Sequence, residues 1–170
     1  MRTGRGAHVD AYDGIEKRQR HLPHWEQPGG SYFITLALRR PAPVDLSDPD
    51  VAPLIISALR HLDGQRYWLY EYAVMPDHVH AIVRVPSLRG QSEPLWRILK
   101  SLKGFTARRI NEATGRSGPL WQQETHDHLI RGEDDYLRIA AYIIDNARRR
   151  GLVHEPTGWP WAGRGRGDGP

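Results

Sequence analysis

Apolar positions along the chain switch between a period of two and a period near 3.6, and the switches mark out seven elements. "SYFITLAL" (31–38) is apolar on both sides and predicts a strand buried on two faces. "VAPLIISALRHLD" (51–63) follows with helical spacing and stops before Gly64, with Asp48 or Asp50 placed to cap it. "RYWLYEYAVM" (66–75) and "HVHAIVRVP" (78–86) are strand-like runs joined by "PD", which predicts a hairpin. In "PLWRILKSLKGFTARRIN" (94–111), Leu95, Ile98, Leu99, Leu102, Phe105 and Ile110 recur at helical spacing. "ETHDHLIR" (124–131) alternates as a short fourth strand. A last helix runs from Glu133 to Arg150, opened by acids, closed by three arginines and stopped by Gly151. The order β-α-β-β-α-β-α predicts an α+β protein: a ferredoxin-like split βαβ unit with a four-stranded antiparallel sheet and one additional C-terminal helix. Residues 1–25 read as a flexible arm, 26–163 as a single domain, and 164–170 as a disordered tail too rich in Gly to be regular.

One strand breaks the apolar habit. His78, His80, Ile82 and Arg84 share one face of the third strand, while Val79, Ala81, Val83 and Val85 share the other. The valine face belongs to a core. Two imidazoles two residues apart project in parallel and can grip one cation; they also suit plain hydrogen bonding on a half-buried sheet. A third histidine at the next alternate position would suggest a histidine-triad hydrolase, but Ile82 stands there, and no His-x-x-x-His pair suggests a zinc peptidase. The chain has no cysteine, so thiolate metal sites and disulfides are excluded, and harder ions such as Mg²⁺ or Mn²⁺ are favoured.

The formal charge is +4 and the sequence pI about 9.6, which suits a polyanionic partner. The cations cluster on the second helix (Arg97, Lys100, Lys103, Arg108, Arg109) and at the end of the third (Arg148, Arg149, Arg150). No run of about 18 apolar residues is present, and Met1–Gly6 lacks the apolar core of a signal peptide, so a cytoplasmic protein with no membrane partner is expected. On the last helix, Leu137, Ala140, Ala141, Ile144 and Ala147 fall on one arc with Tyr136 at its edge. Asp135, Arg138, Tyr142, Asn146 and Arg149 fall on the other. Tyr142 and Asn146 are one turn apart, so a phenol sits beside an amide oxygen able to join a metal site; a tyrosine at a packing interface fits the helix pattern as well.

Taken together, "MPDHVHAIV", "LKGFTARRIN", "GPLWQ", "HDHLIR", "EDDYLRIAAYIIDNARRRGLV" and "WPW" resemble the HUH single-tyrosine transposases, in the REP-associated tyrosine transposase branch. The upstream "PGGSYFIT" matches that branch's entry into its first strand, and the resemblance covers roughly residues 20–161. It implies a divalent ion on His78 and His80, Asn146 as a third ligand, and Tyr142 as nucleophile. Where the branch often has Pro after that Asn, this chain has Ala147. The implied substrate is single-stranded or hairpin DNA, cut through a 5′-phosphotyrosine. Lys100, Lys103, Arg108, Arg109, Arg138 and Arg149 are candidate phosphate contacts, and Trp68, Trp96 and Trp121 candidate stacking rings. Two alternatives are a domesticated hairpin-binding protein that does not cut, and a metal phosphodiesterase that uses water. The assembly expected is a monomer or homodimer.

Overall fold

The computed structural model describes residues 27–167, so the arm expected over 1–25 lies outside them. The strands and α-helices follow in order: β1 (Ser31–Ala37), α1 (Ala52–Leu62), β2 (Trp68–Val74), β3 (His78–Arg84), α2 (Leu95–Thr114), β4 (His126–Leu129), α3 (Glu133–Arg149) and β5 (Ala162–Arg164). The strands form one antiparallel sheet in the order β4-β1-β3-β2-β5, which makes β1 and β3 the central neighbours expected of a split βαβ unit. The fold class read from sequence holds, with one strand more.

The fifth strand comes from the tail. Val74 N–H donates to Trp161 O, Gly165 N–H to Tyr70 O and Gly167 N–H to Leu69 O, so the tail is zipped along the β2 edge as far as the description reaches. Glycine is what allows the close approach. A Cβ on Gly163 would lie 2.8 Å from the Tyr72 hydroxyl, and one on Gly165 would lie 2.4 Å from Leu69 O. Between them, Arg164 reaches the buried Glu71 at 3.3 Å.

Two cores lie on the two faces of the sheet. Ile34 and Leu36 of β1 and Val79, Ala81 and Val83 of β3 pack with Ile55 and Leu59 of α1 and Ile98 and Leu102 of α2. On the other face, Phe33, Ala73 and Ile82 pack with Ile139, Tyr142, Ile143 and Ala147 of α3. Cross-strand partners share a face, so the pairs Thr35 with His80 and Ala37 with His78 put both histidines under α3.

Local sequence explains the element ends, with one correction. Neither Asp48 nor Asp50 caps α1 by its side chain: Val51 is the N-cap, and Asp48 instead closes a turn, its carbonyl accepting from Val51 and Ala52 and its carboxylate from Asp50 N–H. Asp63 just past α1 is buried and takes two backbone donors, Leu69 N–H and Arg166 N–H, which fixes both the start of β2 and the tail. α2 runs three residues beyond the predicted end and stops at Gly115, whose φ of 64° only glycine adopts cheaply. Trp121 is core: its indole N–H donates to the buried Thr106 hydroxyl at 3.0 Å.

Candidate active site

The site grows from the one polar stripe in an otherwise apolar sandwich. His78 and His80 are buried, with ring centroids 4.4 Å apart. Each ring has its Nδ1 engaged. His78 Nδ1 lies 2.8 Å from a carboxylate oxygen of Asp77, and His80 Nδ1 lies 2.9 Å from the Thr35 hydroxyl. A carboxylate only accepts, so the neutral form of His78 has its proton on Nδ1 and a lone pair on Nε2. At His80 the direction depends on the tautomer, since a hydroxyl both donates and accepts; the Nδ1–H form donates to Thr35 and frees Nε2.

Among the described residues, the buried side-chain atoms with no hydrogen-bond partner are His78 Nε2, His80 Nε2 and Asn146 Oδ1. Orphaned buried acceptors are rare, because each forfeits its hydration for nothing. Here all three come from residues on the two surfaces that face each other, β3 and α3. Acceptors that lack a donor suit a cation. No group of three or more His, Cys, Asp or Glu is clustered to hold a metal among the described residues, so any ion here would rest on two imidazoles and an amide.

α3 corrects the sequence reading of its own faces. Its buried residues are Ile139, Ala140, Tyr142, Ile143, Asn146 and Ala147, whereas Leu137 is 55% exposed and Ala141 is exposed as well. The pattern misled because α3 covers a polar stripe, and polar residues must turn inward to meet it. Tyr142 is thereby set 5.4 Å from the His80 ring and 6.2 Å from Phe33, centroid to centroid. The Arg149 guanidinium lies against the Tyr142 ring at 5.4 Å. Tyr136 is placed differently: its hydroxyl donates to both oxygens of the buried Glu71, at 2.9 and 2.8 Å, and its ring meets Tyr70 edge-on. Burial, then the Glu71 hydrogen bond, pushes its phenol up to about 12.

The basic candidates scatter. Lys100, Arg108 and Arg109 are exposed on α2, across the sheet from the histidines. Lys103 belongs to the scaffold: its ammonium donates to Gln122 O, Gln123 O and Thr125 Oγ1, and burial lowers its pKa. Arg138 donates to Asp135, which also accepts from His128 and from Arg131 N–H, so this cluster ties the start of α3 to β4. Trp96 is exposed beside Lys100 with Arg97 stacked on it. Thr35 and Asp77 were not singled out from sequence, and Arg150 was read only as part of a basic helix end. A Thr paired across from a strand histidine was the available signal for the first.

Burial, reinforced by the neighbouring His78, holds His80 well below its usual pKa, so the folded state keeps it neutral while an unfolded chain would protonate it below about 6.5. The unfolded state then binds more protons in that window, and stability falls as pH drops, at about 1.4 kcal/mol per pH unit for one such group. Asp77, held well below the carboxylate range by its bond to His78 and then by Arg150, contributes in the same direction only below about pH 4. Thermal melts in EDTA are expected to fall from pH 7 to 5, and a His80→Gln protein should show a flatter profile. Identical profiles would remove His80 as the cause.

Residues 56–146, from α1 through Asn146, match the family model described as "Transposase IS200 like"; the match spans more than half of the chain, and the protein belongs to that family. Two curated relatives are REP-associated tyrosine transposases, one of them putative. The REP-associated tyrosine transposase of Escherichia coli (strain K12) is 27% identical over 134 residues, covering 79% of this chain and 76% of that one. A Haemophilus influenzae relative is 25% identical over 149 residues, covering 79% of each chain. In fold, the structure of a REP-associated tyrosine transposase bound to a REP hairpin aligns with a TM-score of 0.62 at 22% identity, over 85% of this chain and 82% of that one. No helix among the described residues is long and apolar enough to cross a membrane.

Proposed function

We propose that this transposase cuts and rejoins single-stranded DNA next to a hairpin, with Tyr142 as nucleophile and a divalent ion, Mg²⁺ or Mn²⁺, as cofactor. The observation that carries the reading is the set of buried acceptors without donors, His78 Nε2, His80 Nε2 and Asn146 Oδ1, within the core that also holds Tyr142. These three residues would hold the ion. Bound there, it would polarise a non-bridging oxygen of the scissile phosphate and offset charge in the transition state.

The chain's own groups account for the rest. The Tyr142 oxygen attacks phosphorus, the bond from phosphorus to the 3′-oxygen breaks, and a 5′-phosphotyrosyl link and a free 3′-hydroxyl result. The phenol loses its proton to solvent and the departing oxygen takes one up. Free tyrosine ionises near pH 10, so the charge left on its oxygen needs an offset, which the Arg149 guanidinium against the ring supplies. Phe33 packs edge-on to the same ring and restricts its swing. Rejoining is the same step run backwards. A hairpin-bearing strand is the substrate favoured by the relative seen with a REP hairpin.

Incubation of the protein with labelled hairpin-bearing single strands and Mg²⁺ or Mn²⁺, followed by denaturing electrophoresis, tests this. A protein-linked label that EDTA prevents is the expected result. Cutting with no protein-linked DNA would point to the water-using phosphodiesterase, and binding with no cutting to the hairpin-binding protein.

Lys100, Arg108 and Arg109 on the outer face of α2 are read as phosphate contacts, with the exposed Trp96 as a stacking ring. Binding should weaken steeply as salt rises. A Lys100→Ala/Arg108→Ala protein should lose affinity and flatten the plot of log affinity against log salt by about 0.7–0.9 per contact removed. An unchanged slope would take α2 out of the interface.

A further inference from the structure

Three arginines close α3, and they do three different things. Arg148 pairs with Asp145 on its own helix, Arg149 lies against Tyr142, and Arg150 leaves the helix to donate to Asp77 at 2.7 Å. The oxygen it reaches is the one that accepts from His78 Nδ1 at 2.8 Å. At its other end, Arg150 N–H donates to the backbone carbonyl of Asn146 at 3.1 Å. A chain of contacts thus runs from Asn146 through Arg150 and Asp77 to His78. It joins the two surfaces that bear the orphaned acceptors, and none of its links passes through the site itself.

We propose that Asp77 and Arg150 are positioning residues, a clamp that sets His78 Nε2 and Asn146 Oδ1 at a fixed separation and so prepares the cation site before any ion or DNA arrives. The proposal rests on the reading of His78 as a cation ligand. Asp77 is a firm anchor: its carbonyl accepts from Leu38 N–H at 2.9 Å, the preceding Pro76 carbonyl from Leu46 N–H at 2.8 Å, and Met75 N–H donates to His78 O at 2.8 Å. The turn is therefore bolted to the sheet, and the variable is where the end of α3 sits. As an ion pair alone the contact would count for little, since both side chains are 29% exposed and such pairs are weak. Its value is geometric. A carboxylate that orients a ligand histidine typically changes metal affinity 10- to 100-fold.

Electrostatics and positioning make opposite forecasts for Arg150. Removing a positive charge beside a cation site should tighten ion binding if charge alone matters. It should weaken binding if the clamp matters. Titration of the DNA-free full chain with Mn²⁺ alone, followed by electron paramagnetic resonance or calorimetry, decides between them. Arg150→Met keeps the side-chain stem and the helix end, and is expected to bind Mn²⁺ about 10-fold more weakly. Arg150→Lys should recover part of the loss, and Asp77→Asn combined with Arg150→Met should bind no worse than Asp77→Asn alone, because both act through one path. Unfolding midpoints measured without metal report whether the variants are folded, and Arg150→Lys carries the comparison if Arg150→Met is not. Equal or tighter Mn²⁺ binding by folded Arg150 variants, with binding lost in His78→Ala, overturns the clamp and leaves the metal site standing. Binding by His78→Ala equal to that of the unchanged protein, or no binding by the unchanged protein, overturns the metal site and the clamp with it.

Discussion

A Tyr142→Phe protein is expected to bind DNA, stay folded and form no covalent adduct. The substitution removes one oxygen and keeps a ring that packs against His80 and Phe33, so its cost should stay near that of one hydrogen bond, about 1 kcal/mol. The proposed nucleophile, by contrast, is gone entirely. Tyr136→Phe should show the reverse profile. Its hydroxyl is the donor to buried Glu71, and leaving that carboxylate short of a partner should cost about 1–3 kcal/mol while the adduct still forms. Tyr136 is also the poorer nucleophile on physical grounds, because burial and the facing carboxylate both oppose loss of its proton. Urea unfolding and mass spectrometry of the trapped adduct measure the two effects. A nucleotide found on Tyr136, or any adduct formed by Tyr142→Phe, sinks the assignment.

The second large effect is expected at the histidines. His78→Ala and His80→Ala should each reduce ion-dependent cutting to background, since either leaves one imidazole and one amide, too few protein ligands to fix a cation beside a phosphate. Their stabilities should differ less than their activities. His80→Ala opens space beside Phe33 and Tyr142, yet it also removes an orphaned buried nitrogen, and the two changes oppose each other. Cutting assays across a Mn²⁺ series, run beside thermal melts, separate lost chemistry from lost folding. Full cutting by both variants would remove the ion from the mechanism.

Much of this was legible in the residues, and what was not has identifiable causes. The Val79–Val85 face, the hairpin at "PD" and the spacing of Leu95, Ile98 and Leu102 report burial directly, because each element there meets an apolar neighbour. The phase of α3 did not read correctly, since helical periodicity assumes that buried means apolar. Tyr142 and Asn146 are buried for the sake of the stripe beneath them, while Leu137 was left to solvent. β5 carries almost no side-chain signal: an edge strand needs backbone groups and room, and Gly163 and Gly165 supply both silently. Asp77 and Arg150 stand 73 positions apart, and nothing local to either announces the other.

The sheet is also a partition. Lys100, Arg108 and Trp96 stand outside one core, Tyr142 and the histidines inside the other, and the five strands between them share no side chain with both. Free-energy effects of changes on the two sides should add, with a residual of about 0.3–0.5 kcal/mol or less, as is usual for sites without common neighbours. On the proposed function, strand binding and strand cutting are thus separate parts of one small molecule. On that reading, charge changes on the outer face of α2 should shift DNA affinity and leave adduct formation at Tyr142 as it was.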